Sequence, residues 1–201
     1  MPKVNTVILL HGSGEEQDHE ERFLSYEAKH AREKKVTVHQ PKIPNFDGKV
    51  TPTREGFHDT IAALLSENKI NPDRTAVVAH SLGGNGWLHF LERNPHLVSC
   101  YTFLVATPYD CNLPEVSAFF PTPLITVSKR NIPRWMIVGS DNDDVINEPP
   151  RILANRLHVR HTTINNAGHF MPHALTADTT KGDYGKKWMQ VRRKIGLEEL
   201  Y

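Results

Sequence analysis

The feature that most constrains this chain is a serine placed between a buried strand and a helix. Residues 75–79 form a short run rich in β-branched side chains, which predicts a buried strand, and residues 84–93 place apolar side chains at helical spacing. Ser81 stands between these two runs, so the chain turns from strand to helix within a few residues. Such a turn needs small residues two positions before and after the serine, and this chain supplies Ala79 and Gly83. We therefore predict a sharp strand, turn and helix unit with Ser81 at its apex.

Strand and helix patterns alternate along the remainder of the chain. Apolar and β-branched runs predict strands at residues 6–10, 36–39, 98–106, 134–138 and 159–164, and amphipathic runs predict helices at 15–35, 54–68, 150–157 and 186–200. This alternation is typical of parallel strands joined by right-handed crossovers. We therefore expect a three-layer α/β/α sandwich with a mostly parallel central sheet. At roughly 150 residues per domain, a chain of 201 residues predicts a single domain spanning residues 1–201.

The charge and cysteine content exclude several classes of protein. Lys and Arg number 24 against 23 Asp and Glu, and a net charge of +1 provides no basic field to attract nucleic acid or anionic lipid. No apolar stretch approaches the roughly 20 residues that span a bilayer, so we expect no membrane partner. The two cysteines, Cys100 and Cys111, are too few for a disulfide scaffold and lack zinc-binding spacing, which favours a reducing, cytoplasmic setting.

Ser81 is the candidate nucleophile of this chain. The sequence around it, Ala-His-Ser-Leu-Gly, fits the nucleophile-elbow pattern G-x-S-x-G with alanine in place of the first glycine. In such a turn the hydroxyl projects above the C-terminal edge of the sheet, and the N-terminus of the following helix stabilises developing negative charge. A serine with a purely structural role is the alternative. The position between a strand and a helix favours the nucleophile.

A serine hydroxyl becomes a good nucleophile only when a base removes its proton, and that base is usually a histidine held by a carboxylate. His169 is the best candidate among twelve histidines, because it follows the last predicted strand and so lies at the same sheet edge as Ser81. His80 precedes the serine and is expected to point away from the hydroxyl, in a packing or supporting role. The remaining alternatives for the base are His11, His89, His161 and His173.

The carboxylate that orients the histidine is expected in the loop after the strand at residues 134–138. That loop offers Asp141, Asp143 and Asp144. Any of them gives the chain order Ser, Asp, His, which is the order of α/β-hydrolase triads. The spacing D-x-D-D lacks the glycine and the distal glutamate of a calcium-binding loop, so we expect no metal here.

An acyl-transfer site also needs two backbone N–H groups to hold the oxyanion of the tetrahedral intermediate. We expect one from Leu82, the residue after the nucleophile, and the other from Ser13 in the His-Gly-Ser-Gly loop that follows the first strand. This loop has neither the G-K-[ST] ending nor the G-x-G-x-x-G spacing of nucleotide-binding loops. Nucleotide binding is therefore not expected.

The serine turn, acid loop, histidine loop and early glycine loop, taken together, resemble the α/β-hydrolase superfamily over nearly the whole chain. The chain is most similar to the small, lidless serine hydrolases related to retinoblastoma-binding protein nine, through its H-S-L-G turn and an S-x-x-D loop followed about 26 residues later by G-H-F. In those relatives the aspartate three residues after the serine is the triad acid, which corresponds to Asp143, and the G-H-F histidine corresponds to His169. The family commonly has proline where this chain has Asp144, which leaves Asp141 as the alternative acid.

This resemblance implies a minimal α/β-hydrolase fold without a large cap domain. It also implies hydrolysis of carboxylic esters, or of thioesters or amides, through an acyl-enzyme on Ser81, with no metal or organic cofactor. The expected partner is a small-molecule ester or related acyl substrate. Aromatic side chains on loops expected at the catalytic edge are candidates for contacting this substrate: Phe46, Phe119, Phe120 and Trp135.

Two other functions use the same sequence features. One is a catalytically idle hydrolase fold that acts as a protein-interaction module, because common folds host unrelated functions. The presence of a nucleophile, a base and an acid in matching loops argues against it. The other is an acyltransferase with the same triad, which differs only in whether water or another acceptor attacks the acyl-enzyme.

Overall fold

The computed structural model describes residues 3–12, 23–46, 50–109, 119, 125–146, 150–170 and 183–201. Within these residues the strands are β1 (Thr6–Leu10), β2 (Thr37–His39), β3 (Thr75–His80), β4 (Tyr101–Val105), β5 (Trp135–Ser140) and β6 (Arg160–Ile164). The α-helices are α1 (Phe23–Glu33), α2 (Arg54–Asn68), α3 (Leu82–Arg93), α4 (Arg151–Leu157) and α5 (Asp183–Ile195).

The six strands form one sheet in the order β2-β1-β3-β4-β5-β6, and every neighbouring pair is parallel. The C-terminal ends of all strands therefore lie at the same edge. The chain runs outward from β1 to β2 and then returns past β1 to β3, so the direction of winding reverses between β1 and β3. Open parallel sheets bind their ligands at such a reversal, beyond the carboxyl ends of the strands.

Alternation along the strands divides the core into two layers. On β1, Ile8 and Leu10 face one side, where they pack in one apolar cluster with α2, α3 and α4. Val7 and Leu9 face the other side, where they pack with α1 and α5. Because helices cover both faces, the central strands β1, β3, β4 and β5 are buried on both sides, as expected for a parallel sheet, whereas β2 and β6 at its two ends are partly exposed. The predicted three-layer α/β/α sandwich is confirmed.

Element boundaries differ from the prediction where local backbone chemistry intervenes. The strand predicted at residues 98–106 begins only at Tyr101, because Pro95–Ser99 forms a short 3-10 turn. The last helix ends at Ile195, since Gly196 adopts a left-handed φ of 75°. A 3-10 turn at Leu197–Leu200 follows it. None of the helices in the described part of the chain is long and apolar enough to cross a bilayer.

Candidate active site

Ser81 occupies a strained turn between β3 and α3. Its φ of 49° and ψ of −126° lie outside the regions that residues with a side chain ordinarily adopt. Such a conformation costs about 1–3 kcal/mol and persists only where the surrounding structure enforces it. Here the Ser81 N–H donates to the Val105 carbonyl at 2.9 Å, and the Gly84 N–H donates to the Ser81 carbonyl at 2.9 Å. The predicted sharp turn is therefore present, with Ser81 at its apex.

Close packing around the turn explains the glycines that follow the serine. A Cβ on Gly83 would lie 2.4 Å from the His11 carbonyl oxygen, and a Cβ on Gly84 would lie 2.0 Å from the Thr107 hydroxyl oxygen. Neither position has space for a side chain. The N-terminus of α3 is thereby held directly against the ends of β1 and β4.

The structure brings Ser81, His169 and Asp143 into one hydrogen-bonded chain. His169 Nε2 lies 3.0 Å from the Ser81 hydroxyl oxygen, and His169 Nδ1 lies 3.1 and 3.0 Å from the two carboxylate oxygens of Asp143. The side chains of His169 and Asp143 are only 6% and 5% exposed. An ionised carboxylate accepts hydrogen bonds, so Nδ1 carries the proton and the lone pair of Nε2 faces the hydroxyl. This arrangement is suited to removing a proton from the serine.

The other two candidate acids lie elsewhere. Asp141 accepts a hydrogen bond from the Asn166 N–H at 2.7 Å, and Asp144 is exposed. The Asp143 Oδ1 atom is also held in place, because it accepts from the N–H groups of Val145 and Ile146 at 3.0 and 2.8 Å. Of the three carboxylates, Asp143 is the one that contacts the imidazole of His169.

His80 connects the serine turn to the loop that carries His169. Its side chain is fully buried, and its Nε2 lies 2.8 Å from the His169 carbonyl oxygen. Because a carbonyl only accepts, Nε2 is the donor. The residue before Ser81 thus holds the backbone of the histidine loop, a contact that no local sequence pattern indicates.

The remaining candidate histidines have other surroundings. His11 contacts the Gly12 carbonyl through Nδ1 at 2.9 Å. On α3, the Nε2 atom of His89 donates to the Phe119 carbonyl at 2.8 Å. His161 is exposed on β6, and His173 lies outside the described residues.

Leu82, whose N–H is one of the two predicted oxyanion donors, directly follows Ser81. It is the first residue of α3, and the N–H groups of a first helical turn have no acceptor within the helix. The positive end of the helix dipole lies at the same place. Ser13, the other predicted donor, lies outside the described residues.

The structure corrects the predicted substrate contacts. Trp135 begins β5, so it lies at the sheet edge opposite Ser81, fully buried, with its indole N–H donating to the Val98 carbonyl at 3.0 Å. Phe46 and Phe119 are also fully buried, with ring centroids 5.7 Å apart in the apolar core. These three side chains expose no surface to a substrate, because burying them in the core stabilises the fold. Phe120 lies outside the described residues.

Two alternative kinds of site find no support in the described residues. No three His, Cys, Asp or Glu side chains among them converge to hold a metal ion. Cys100 is buried, and burial raises the pKa of its thiol to about 12, so it stays protonated and unreactive. Cys111 lies outside the described part of the chain.

Comparison with known proteins agrees with this architecture. The parallel sheet, its two helical layers and the strained serine turn define an α/β-hydrolase fold. A model of the serine hydrolase family matches residues 7–181, and the chain belongs to that family. The finer similarity to the relatives of retinoblastoma-binding protein nine stays a prediction.

Individual relatives are distant. Cutinase est1 of Thermobifida alba is 28% identical over 131 residues, which cover 65% of this chain but only 40% of that protein. The ydeN gene product of B. subtilis has a TM-score of 0.64 at 19% identity, covering 93% of this chain and 100% of that one. Est1E from Butyrivibrio proteoclasticus has a TM-score of 0.61 at 11% identity, covering 96% of this chain and 88% of that one. At such identities the structural likeness shows the shared fold alone.

Proposed function

We propose that this chain is a carboxylesterase-type serine hydrolase with Ser81 as nucleophile, His169 as base and Asp143 as orienting acid. The observation that carries the proposal is the continuous hydrogen-bonded chain from Asp143 through His169 to Ser81. It ends on a serine whose backbone is held in a strained conformation, which the fold maintains at a free-energy cost.

The reaction follows from the positions of these groups. The Ser81 hydroxyl attacks the acyl carbon of an ester while His169 Nε2 takes its proton, and Asp143 stabilises the resulting imidazolium. The oxyanion of the tetrahedral intermediate accepts from the Leu82 N–H and, in this proposal, from that of Ser13. His169 then protonates the leaving alkoxide, which departs as an alcohol and leaves the acyl group on Ser81. A water molecule, deprotonated by His169, releases the acid in the second half of the reaction.

Small carboxylic esters are the substrate class that we favour, with thioesters and amides as related acyl compounds. The names of two relatives support this choice, since one is a cutinase and another is called Est1E. We further propose that the chain works on small molecules in the cytoplasm without a cofactor, nucleic acid or membrane partner.

Labelling with a fluorophosphonate tests the nucleophile directly. We expect intact-mass analysis to show one covalent adduct on the wild type and none on Ser81→Ala. Ser66→Ala is a matched control, because this exposed serine on α2 bonds only locally, to the Ala63 carbonyl, and its variant should label like the wild type. A folded wild type without an adduct would contradict the proposal and would favour an idle fold that serves as an interaction module.

Product analysis separates a hydrolase from an acyltransferase. With p-nitrophenyl acetate as the probe, a hydrolase releases acetate at a rate that small added alcohols barely change. Preferential formation of the acetate ester of an added alcohol would instead indicate an acyltransferase that uses the same Ser81 acyl-enzyme.

A further inference from the structure

Two loops at the catalytic edge pair residue by residue. Residues 140–143, at and after the end of β5, contact residues 166–169, which form the histidine loop. Asp141 Oδ1 accepts from the Asn166 N–H at 2.7 Å, Ser140 Oγ from the Ala167 N–H at 3.0 Å, Asn142 Oδ1 from the Gly168 N–H at 2.9 Å, and Asp143 meets His169 Nδ1 at 3.0 Å. The segment that carries the acid therefore also holds the backbone that leads into the base.

The histidine loop has a backbone path that regular secondary structure does not provide. Asn166, Gly168 and Phe170 have φ values of 55°, 52° and 58°, all in the left-handed region. For a buried aromatic residue such as Phe170 this conformation is uncommon. N–H groups along such a path find no acceptors in a helix or a sheet. Leaving a buried N–H without an acceptor costs about 1–3 kcal/mol, so side-chain oxygens from the facing loop replace the missing backbone acceptors.

Ser140 is the centre of this arrangement. It is the last residue of β5, and it is 8% exposed. Its hydroxyl oxygen lies 2.7 Å from Asn142 Oδ1 and 3.1 Å from the Ile164 carbonyl, and its single proton can be donated to either acceptor. The same oxygen accepts from Ala167, so one side chain connects β5, the end of β6 and both loops.

We propose that Ser140 and Asn142, together called the clasp, are positioning residues that fix the His169 imidazole between Asp143 and Ser81. This inference rests on the proposed function, since it assigns the clasp its value in catalysis. Neither residue touches a reacting atom. The clasp fixes the backbone on the N-terminal side of His169, while His80 holds the carbonyl of His169 itself. A displacement of about 1 Å in a reacting group can reduce a rate by 100-fold, so a loosened loop should impair turnover.

Three variants and a control test the clasp with p-nitrophenyl acetate as the probe. We expect Ser140→Ala and Asn142→Ala each to lower kcat by about 10- to 100-fold, with KM within about threefold of wild type, because in this proposal the clasp acts on the histidine loop and not on the bound substrate. Asn142→Asp keeps an oxygen facing the Gly168 N–H and should recover most of kcat. Ser66→Ala is the control, because this exposed serine on α2 bonds to the Ala63 carbonyl, and its kcat should match the wild type. Equal kcat in the wild type and both alanine variants would overturn the proposal.

Amide hydrogen exchange provides a readout that needs no activity. The N–H groups of Ala167 and Gly168 should exchange faster in Ser140→Ala and in Asn142→Ala, respectively, while the amides of the strands remain as protected as in wild type. Unchanged exchange at both amides would overturn the clasp, whatever the kinetics show. If the two variants exchange as expected but the wild type shows no fluorophosphonate adduct, the proposed function is contradicted and, with it, the catalytic role of the clasp.

Discussion

Two buried acid–base pairs among the described residues differ in almost everything except their burial. Asp143 and His169 lie at the C-terminal edge of the sheet, 5% and 6% exposed, with nitrogen and oxygen 3.0 Å apart. Glu27 of α1 and Arg192 of α5 lie in the outer helical layer, both fully buried, with nitrogen and oxygen 2.5 Å apart. Each pair joins residues from distant parts of the chain.

The neighbours of Glu27 and Arg192 hold both side chains in fixed contacts. The Glu27 Oε2 atom that accepts from Arg192 also accepts from the Trp188 indole N–H at 2.8 Å. The Arg192 guanidinium lies 5.4 Å from the centre of the Tyr201 ring. Burial raises the pKa of the Tyr201 hydroxyl far above its usual value, so this group also remains protonated.

The difference shows that burial and pairing do not by themselves make a functional site. An arginine side chain does not release its proton in proteins, so Glu27 and Arg192 can only hold α1 and α5 together. An imidazole, in contrast, can accept and release a proton. The Nε2 atom of His169 faces the Ser81 hydroxyl. The neighbouring group therefore distinguishes the two pairs: Ser81 contacts His169, whereas Trp188 contacts Glu27.

The largest expected effect comes from Asp143→Asn. An amide in place of the carboxylate no longer fixes the proton on His169 Nδ1, and the corresponding change in a serine protease triad lowers kcat by about 10⁴-fold. We expect a loss of about 10³- to 10⁴-fold in ester hydrolysis, measured at saturating substrate. Asp141→Asn serves as the matched variant, and a larger loss there than in Asp143→Asn would make Asp141 the acid.

Glu27→Gln should affect stability rather than chemistry. Removing one partner leaves the Arg192 charge buried without a counter-charge, which typically costs about 3–5 kcal/mol. Urea unfolding should show this loss, while kcat per folded molecule stays at the wild-type value. The double variant Glu27→Leu with Arg192→Met removes both charges and should recover most of the stability. A fall in kcat of the folded Glu27→Gln protein would contradict a purely structural role.

A histidine beside an arginine, away from both pairs, gives the smallest expected effect. His58 on α2 accepts from the Arg93 guanidinium through Nδ1 at 3.2 Å, and its pKa is lowered by burial first and then by the charge of Arg93. The neutral ring is therefore favoured in the folded state. As pH falls below about 6.5, the unfolded chain takes up a proton that the folded chain resists, so stability declines.

This decline is measurable as the fall in Tm between pH 7.5 and pH 5.5. His58→Gln keeps an oxygen acceptor for Arg93 but does not titrate, and its Tm should fall less over the same interval. An equal fall in both proteins would place the pH dependence in other groups, such as His89, whose pKa is also lowered by burial.

Local sequence chemistry predicts the fold and brings a serine, an acidic loop and a histidine to one sheet edge, whereas the choice of Asp143 among the acids rests on the family resemblance. Runs rich in β-branched residues predict the strands. Ala79 and Gly83, two positions on either side of Ser81, predict the sharp turn. Parallel strands then carry Ser81, Asp143 and His169 to the same edge. No geometric input beyond the order of the elements is needed for that step.

The contacts that the sequence misplaces or does not indicate are those that depend on packing between distant segments. The sequence places Trp135 near the substrate, whereas the first residue of β5 lies at the sheet edge away from Ser81. The contact between Glu27 and Arg192 has no local signal in the sequence, because only the tertiary structure brings these residues together across 165 positions. The hydrogen bond from His80 to the histidine loop depends in the same way on the complete sheet.

The strand order has a consequence for how activity fails. Among the described strands, β6 lies at the edge of the sheet beside β5, and its first two residues are exposed. The loop that carries His169 extends from this edge, whereas Ser81 follows a strand in the middle of the sheet. Edge elements open locally at lower free energy than the core. Loss of turnover should therefore mark the local opening of β6. Under mild denaturant, turnover should disappear while the remaining strands are still folded.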